Sequence, residues 1–111
     1  MRAGTLLGVF AVVVCVVAGV GAAGSDVADA IERGDLAAAR ALIQKRADVN
    51  AAQSDGATAL HWAVYRNSVE AVDLLVSAGA KSAANREGMT PLAMAALYGN
   101  PAILDRLLKA G

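Results

Sequence analysis

Few side chains in this sequence could carry chemistry, and none of them has the neighbours that a reaction requires. His61 is the only histidine and Cys15 the only cysteine. Zinc in proteins is held by several His or Cys side chains together, so a lone imidazole predicts no zinc site. Asp26 and Asp29 could pair for acid–base catalysis, but no nucleophile or orienting group accompanies them. The sequence therefore predicts no catalytic residue, metal, cofactor or small-molecule substrate.

A further motif with possible function is Arg33-Gly34-Asp35, the tripeptide of cell-adhesion ligands. It lies between two predicted helices, where Gly34 can adopt the positive φ of a tight turn. Asp26 and Asp29 stand at the start of a predicted helix, where negative charge is favourable. Both features are therefore interpreted as structural.

The charge balance argues against a nucleic-acid partner. Ten Lys and Arg residues oppose ten Asp and Glu, so the formal net charge is zero. Nucleic-acid-binding domains usually carry a basic patch or stripe, and no such excess exists here. Apolar residues make up 57% of the chain but aromatic residues only 4%, so the core is predicted to consist mainly of Ala, Val and Leu.

The chain contains an internal repeat. The segment Asp55–Ala63, DGATALHWA, returns 32 positions later as Glu87–Ala95, EGMTPLAMA. A degenerate copy lies upstream, where Gly34 precedes a Leu-Ile pair and then the segment Ala47–Asn50. Repetition at this period is typical of arrays in which each repeat is one supersecondary unit.

In the second repeat, local signals predict two short helices. Gly56 suits a tight turn, and Thr58 is predicted to cap a helix over 59–66. Asn67 ends that helix because Asn tolerates the left-handed conformation. The second helix is predicted over 69–77, from its apolar periodicity.

The third repeat follows the same pattern with stronger signals. Thr90 is the predicted cap, and Pro91 occupies the first helical position, where its fixed φ is favourable. Gly99 takes the place of Asn67, and Pro101 begins the second helix. In the first repeat, a helix ends near Glu32 and another spans 36–44.

Arg46 occupies the position that Gly79 and Gly111 hold in the later repeats. If its backbone is left-handed, as the repeat predicts, the side chain costs on the order of 1–2 kcal/mol. This assignment of the repeat register can be tested by substitution.

The period near 33 residues, together with the T-x-L-H-x-A core at Thr58–Ala63, resembles the ankyrin-repeat family over Ser25–Gly111. The resemblance implies an all-α solenoid of stacked helix–turn–helix units with short β-hairpin-like fingers. It divides the chain into repeats at 25–53, 54–86 and 87–111, the last truncated. A fragment of a longer protein is expected, the alternative being a last repeat that caps the array poorly. The resemblance also makes His61 a structural residue that bonds near the turn.

Residues 1–24 are predicted to be a signal peptide. Arg2 precedes an uncharged, largely apolar run that ends in the small residues Gly21–Gly24. Cleavage is expected after Ala23, or else after Gly24. The alternative is an uncleaved anchor, since the run approaches the length that spans a bilayer. Both readings place the repeats outside the cytoplasm, periplasmic or secreted. The signal peptide together with the alanine-rich composition suggests a bacterial protein.

The resemblance implies a non-enzymatic module that binds a partner protein through its concave face and finger tips, as a monomer. Tyr and Arg are enriched at binding hot spots, and both tyrosines occupy positions that ankyrin repeats leave variable. The predicted contact residues are Ser54, Asp55, Tyr65, Arg66, Arg86, Glu87, Met89, Leu97 and Tyr98, with Tyr65, Arg66, Arg86 and Tyr98 as anchors. The alternative is a targeting or regulatory portion of a longer enzyme or signalling protein, with its catalytic part beyond residue 111.

Overall fold

The computed structural model describes residues 25–110, so the predicted signal segment lies outside the described residues. Six helices, and no strand, are found in this part of the chain. They are α1 (Asp26–Glu32), α2 (Leu36–Gln44), α3 (Ala59–Tyr65), α4 (Val69–Ser77), α5 (Pro91–Tyr98) and α6 (Pro101–Ala110). The predicted all-α architecture is confirmed, and the predicted helix ends hold to within one residue.

Each helix pair turns through one residue with a left-handed backbone. Gly34, Asn67 and Gly99 have φ values of 79°, 57° and 78°. The helix ends that the sequence predicts at Asn67 and Gly99 are confirmed. The left-handed residue stops one helix and redirects the chain so that the next helix begins two residues later.

The second helix of each pair begins at a polar cap. Backbone N–H groups of the first turn donate to the side chains of Asp35 and Ser68, at 3.0 and 3.1 Å. Asn100 does the same for two N–H groups of α6. Asp35 is thus engaged as a helix cap, and its carboxylate lies 4.0 Å from the guanidinium of Arg33. These contacts explain the Arg33-Gly34-Asp35 motif as part of a turn.

The helix pairs stack side by side around one apolar core. The first helices α1, α3 and α5 pack in a row, and α4 packs against α6 behind them. The largest fully buried side chains are Ile31, Leu60, Leu75, Ile103, Val27, Val64, Val72 and Pro91. Because each pair buries its apolar face only against a neighbour, the stack supplies the core that no single repeat has.

The fingers are hydrogen-bonded turns. In the first, the N–H of Gln53 donates to the carbonyl oxygen of Ala57 at 2.8 Å. In the next, the N–H of Asn85 donates to the carbonyl oxygen of Met89 at 2.9 Å. The N–H of Arg86 donates to the carbonyl oxygen of Asp55 at 3.0 Å, which joins the two fingers.

Polar contacts also connect successive repeats along the outer side. The Asn50 amide accepts from the N–H of Lys81 at 2.7 Å and donates to the carbonyl oxygen of Gly79 at 3.2 Å. Arg40 pairs with Glu70 at 3.1 Å, and α4 and α6 are joined by an ion pair of the same kind. Such contacts fix how one repeat is seated on the next.

His61 connects α3 to the following finger through both ring nitrogens. Its Nδ1 lies 3.0 Å from the backbone N of Thr58, and its Nε2 lies 2.8 Å from the carbonyl oxygen of Met89. Because the Thr58 N–H can only donate, Nδ1 accepts, and the ring proton lies on Nε2. Only 3% of His61 is exposed. The predicted structural role is confirmed.

Replacing Arg46 by Gly is expected to stabilise the fold. Arg46 has φ 68°, and the N–H groups of Arg46 and Ala47 bond to the carbonyls of Ile43 and Leu42 in a left-handed helix termination. We expect Arg46→Gly to raise the free energy of unfolding by about 1 kcal/mol, since relief of the left-handed strain exceeds the added flexibility of the unfolded chain. Urea titration measures it. The control Lys45→Gly, at φ −87°, should destabilise; a gain at Lys45 as large as at Arg46 would contradict the argument.

Replacing His61 by Ala is expected to destabilise the fold by on the order of 2 kcal/mol, because a buried N–H of Thr58 loses its acceptor and the Met89 carbonyl loses its donor. Denaturant unfolding followed by circular dichroism measures this. The variant His61→Leu fills the volume without restoring the bonds and should remain destabilised. Full recovery in His61→Leu would show that packing, and not hydrogen bonding, is what His61 contributes.

Candidate functional site

Three aromatic side chains line up along the exposed side of the first helices. Trp62 and Tyr65 lie on α3 with ring centroids 5.6 Å apart and nearly perpendicular planes. The ring of Tyr65 also lies beside the ring of Tyr98 on α5, with centroids 6.4 Å apart. The tyrosines are 59% and 52% exposed. The structure therefore brings the two predicted tyrosines together and adds Trp62, and these three residues are termed the aromatic row.

A groove of about 310 Å³ separates the fingers from α3 and α5. It is termed the finger groove and is lined by Asp55, Ala57, His61, Trp62, Tyr65, Asn85 and Met94. Trp62 and Met94 occupy equivalent positions of successive repeats, and both are half-buried against the core. Their equivalent positions in the repeat predict that both side chains pack between helices. The structure shows that they also line the groove.

A second depression adjoins the finger groove towards the first repeat. It is termed the acidic depression and is lined by Ser25, Asp29, Glu32, Gln53, Ser54, Asp55 and Trp62. Asp55 and Trp62 belong to both hollows. Three carboxylates therefore lie immediately beside the apolar groove, on the same side of the molecule.

Gln53 holds the shared wall of the two depressions in place. Its side-chain Nε2 donates to Asp29 and to Glu32, each at 2.8 Å. Its Oε1 accepts from the indole Nε1–H of Trp62 at 2.9 Å. This amide fixes the position of the indole relative to the carboxylates. Sequence reasoning did not identify Gln53, because its partners lie 9 to 24 residues away and meet only when the repeats stack.

Arg66 reaches towards the first repeat. Its Nη1 donates to the carbonyl oxygen of Glu32 at 3.0 Å. Its guanidinium also covers Gly34 so closely that a Cβ there would lie 2.8 Å from Nη2. Arg66 therefore joins two repeats and does not line the finger groove, whereas Tyr98, which the repeat pattern places at the equivalent position, lies in the aromatic row.

The remaining predicted contact residues lie on the fingers, except Leu97, which lies on α5. Leu97 is 71% exposed, and Met89 is half-buried beside the ring of His61. Arg86 bonds through its backbone to Asp55 and has an exposed side chain. The finger residues Ser54 and Glu87 are also exposed. The structure thus brings Asp55 and Tyr65 together at the finger groove, with Tyr98 beside Tyr65, and places Arg66 outside it. The role of the predicted set in binding stays a prediction.

The described residues contain no cluster that suits a metal ion. Among residues 25–110, no group of three or more His, Cys, Asp or Glu side chains is placed to hold one. None of the helices in the same range has the length and apolar character needed to cross a bilayer.

Comparison with known proteins agrees with this architecture. A family model described as ankyrin repeats matches residues 27–111 in three copies. The chain is also 35% identical over 77 residues to a mouse (Mus musculus) protein described as fem-1 homolog A-like, a match that covers 69% of this chain and 12% of that protein. The chain thus spans a small part of this relative's length. On the strength of the family match, this chain belongs to the ankyrin-repeat family, a non-catalytic fold whose members generally bind partner proteins.

Proposed function

We propose that this chain is a monomeric scaffold that holds a partner protein on the face formed by the finger groove and the aromatic row. The observation that carries the proposal is the row itself, in which Tyr65 and Tyr98 remain more than half exposed although they contact each other. Tyr and Trp are enriched among the residues that dominate binding energy. Exposed aromatic side chains become buried when a partner binds, and this burial stabilises the complex.

The contacts beneath this surface favour rigid display. Gln53 fixes the indole of Trp62, and His61 fixes the next finger against α3. The backbone bond between Arg86 and Asp55 holds the two fingers together. A surface that is ordered before binding loses less conformational entropy when the partner docks. The proposed mechanism is therefore presentation of a preformed surface.

A second proposal places the same surface in a longer chain. There, the repeats would be the targeting or regulatory portion of an enzyme or signalling protein. The mouse relative, of which this match covers 12%, supports considering repeats of this kind within larger proteins. Sequencing the gene beyond Gly111 separates the two: an immediate stop codon removes the second proposal, and an open reading frame into a catalytic domain supports it.

Export of the repeats is also part of the proposal. It is supported by Arg2, by the uncharged run that follows it, and by the small residues that end at Gly24. A bacterial origin stays a prediction, made from this segment together with the alanine-rich composition.

Truncation of both tyrosines is expected to weaken partner capture at least about tenfold, since hot-spot aromatic residues contribute on the order of 1–2 kcal/mol each. The variant is Tyr65→Ala with Tyr98→Ala, measured by crosslinking and pull-down of the full chain from its native extract. Leu108→Ala is the matched control, because Leu108 is 60% exposed and lies on α6, outside the row. Undiminished capture by a folded double variant would contradict the proposed surface.

The mature N-terminus tests export. We expect intact mass analysis of the secreted or periplasmic protein to show a chain that begins at Gly24 or Ser25, after removal of the signal segment. Exported protein that retains Met1 would instead identify residues 1–24 as an anchor. Protein found only in the cytoplasm with Met1 retained would contradict both forms of the proposal.

A further inference from the structure

The two hollows of the binding face differ in chemistry although they share a wall. Met94, Tyr65 and Trp62 give the finger groove its apolar lining. Asp29, Glu32 and Asp55 lie around the acidic depression next to it. Trp62 and Asp55 border both. Because the two hollows adjoin, one short peptide segment of a partner can contact both at once.

The carboxylates of the acidic depression form no ion pair among the described residues. Four ion pairs are found among residues 25–110, and none involves Asp29, Glu32 or Asp55. Two arginines bond to the main chain here: Arg66 donates to the backbone carbonyl of Glu32, and the backbone N–H of Arg86 donates to the carbonyl of Asp55. Neither guanidinium forms an ion pair with these carboxylates. Gln53, which bonds to two of the acids, is neutral. The depression therefore presents a negative field to an incoming ligand.

We propose that the finger groove binds a peptide segment of the partner in which a Lys or Arg lies close to a large apolar residue. The inference rests on the proposed function and names the chemistry of its partner. The apolar side chain enters the finger groove and packs on Met94 and Tyr65. The cation lies in the acidic depression, where carboxylates attract it and the indole of Trp62 offers a favourable face.

Charge selects this occupant over the other macromolecules that an aromatic groove could hold. A nucleic acid would bring phosphates to Asp29, Glu32 and Asp55, and like charges repel. An acidic or phosphorylated peptide meets the same obstacle. A basic segment gains from the field during approach and in the bound state, so its binding depends on ionic strength.

The test uses the full chain and an array of short fluorescent peptides, with binding followed by anisotropy. The array carries Arg and Leu adjacent or one residue apart, in both orders, between Gly-Ser flanks. Matched peptides replace Arg by Glu, or Leu by Ser. We expect an Arg–Leu peptide to bind, both replacements to weaken it, and added salt to weaken it further.

Charge-removing variants locate the site. Glu32→Gln and Asp55→Asn keep acceptors for Gln53 and for the N–H of Ala57, so the fold should be retained, as circular dichroism can confirm. The double variant is expected to lose on the order of fivefold in affinity for the Arg–Leu peptide, as for two exposed charge pairs. The control Glu70→Gln removes a charge on the outer helix α4 and should leave binding unchanged.

Three results would overturn the inference. The first is a set of peptides that bind equally whatever their charge, or that do not bind at all. The second is equal loss in the double variant and in Glu70→Gln. The third is sedimentation of the chain as a dimer that dissociates on Glu32→Gln with Asp55→Asn, which would make a second copy the occupant. In the first two cases, capture that still depends on Tyr65 and Tyr98 would leave the proposed function standing, so the two failures can be told apart. A dimer would in addition contradict the monomeric state in that proposal.

Discussion

The architecture depends on close packing of short helices through alanine. Ala30, Ala63 and Ala95 stand at equivalent positions of the three first helices, and all are completely buried. Core interiors are packed so densely that even one added methylene group is felt. A larger side chain at any of these sites would separate neighbouring helices, and the contacts between repeats would be lost with them. The bonds made by Gln53 and His61 therefore depend on the small size of these alanines.

Sequence alone predicts those features of the fold that depend on neighbouring residues in the chain. Turn chemistry within a few positions predicts the helix starts that follow Thr58 and Thr90. It also predicts the left-handed residues at Arg46, Asn67 and Gly99. The same signals recur at equivalent positions of successive repeats. The proposed binding face is predicted from sequence only in outline. Tyr65 and Tyr98 were identified because the repeat pattern marks variable positions.

What sequence reasoning missed are contacts across the stack. Gln53 reaches Asp29, and Arg66 reaches Glu32, over 24 and 34 residues of chain. The repeat pattern places Tyr98 and Arg66 at matching positions, yet one lies in the aromatic row and the other covers Gly34. The direction of such a side chain depends on the residues of the neighbouring repeat. For Arg66 that neighbour is Gly34, which has no side chain to block the guanidinium. No local signal carries that information.

Gly56 draws together the two fingers that border the groove. Its φ is 86°, and a Cβ on it would lie 2.9 Å from the backbone nitrogen of Arg86. The corresponding Gly88 has nothing within 4 Å of such an atom. A side chain at position 56 would therefore push the two fingers apart, whereas no following finger is described beside Gly88 among residues 25–110. Because only a hydrogen atom at position 56 allows this approach, the spacing between the two fingers beside the groove depends on that residue.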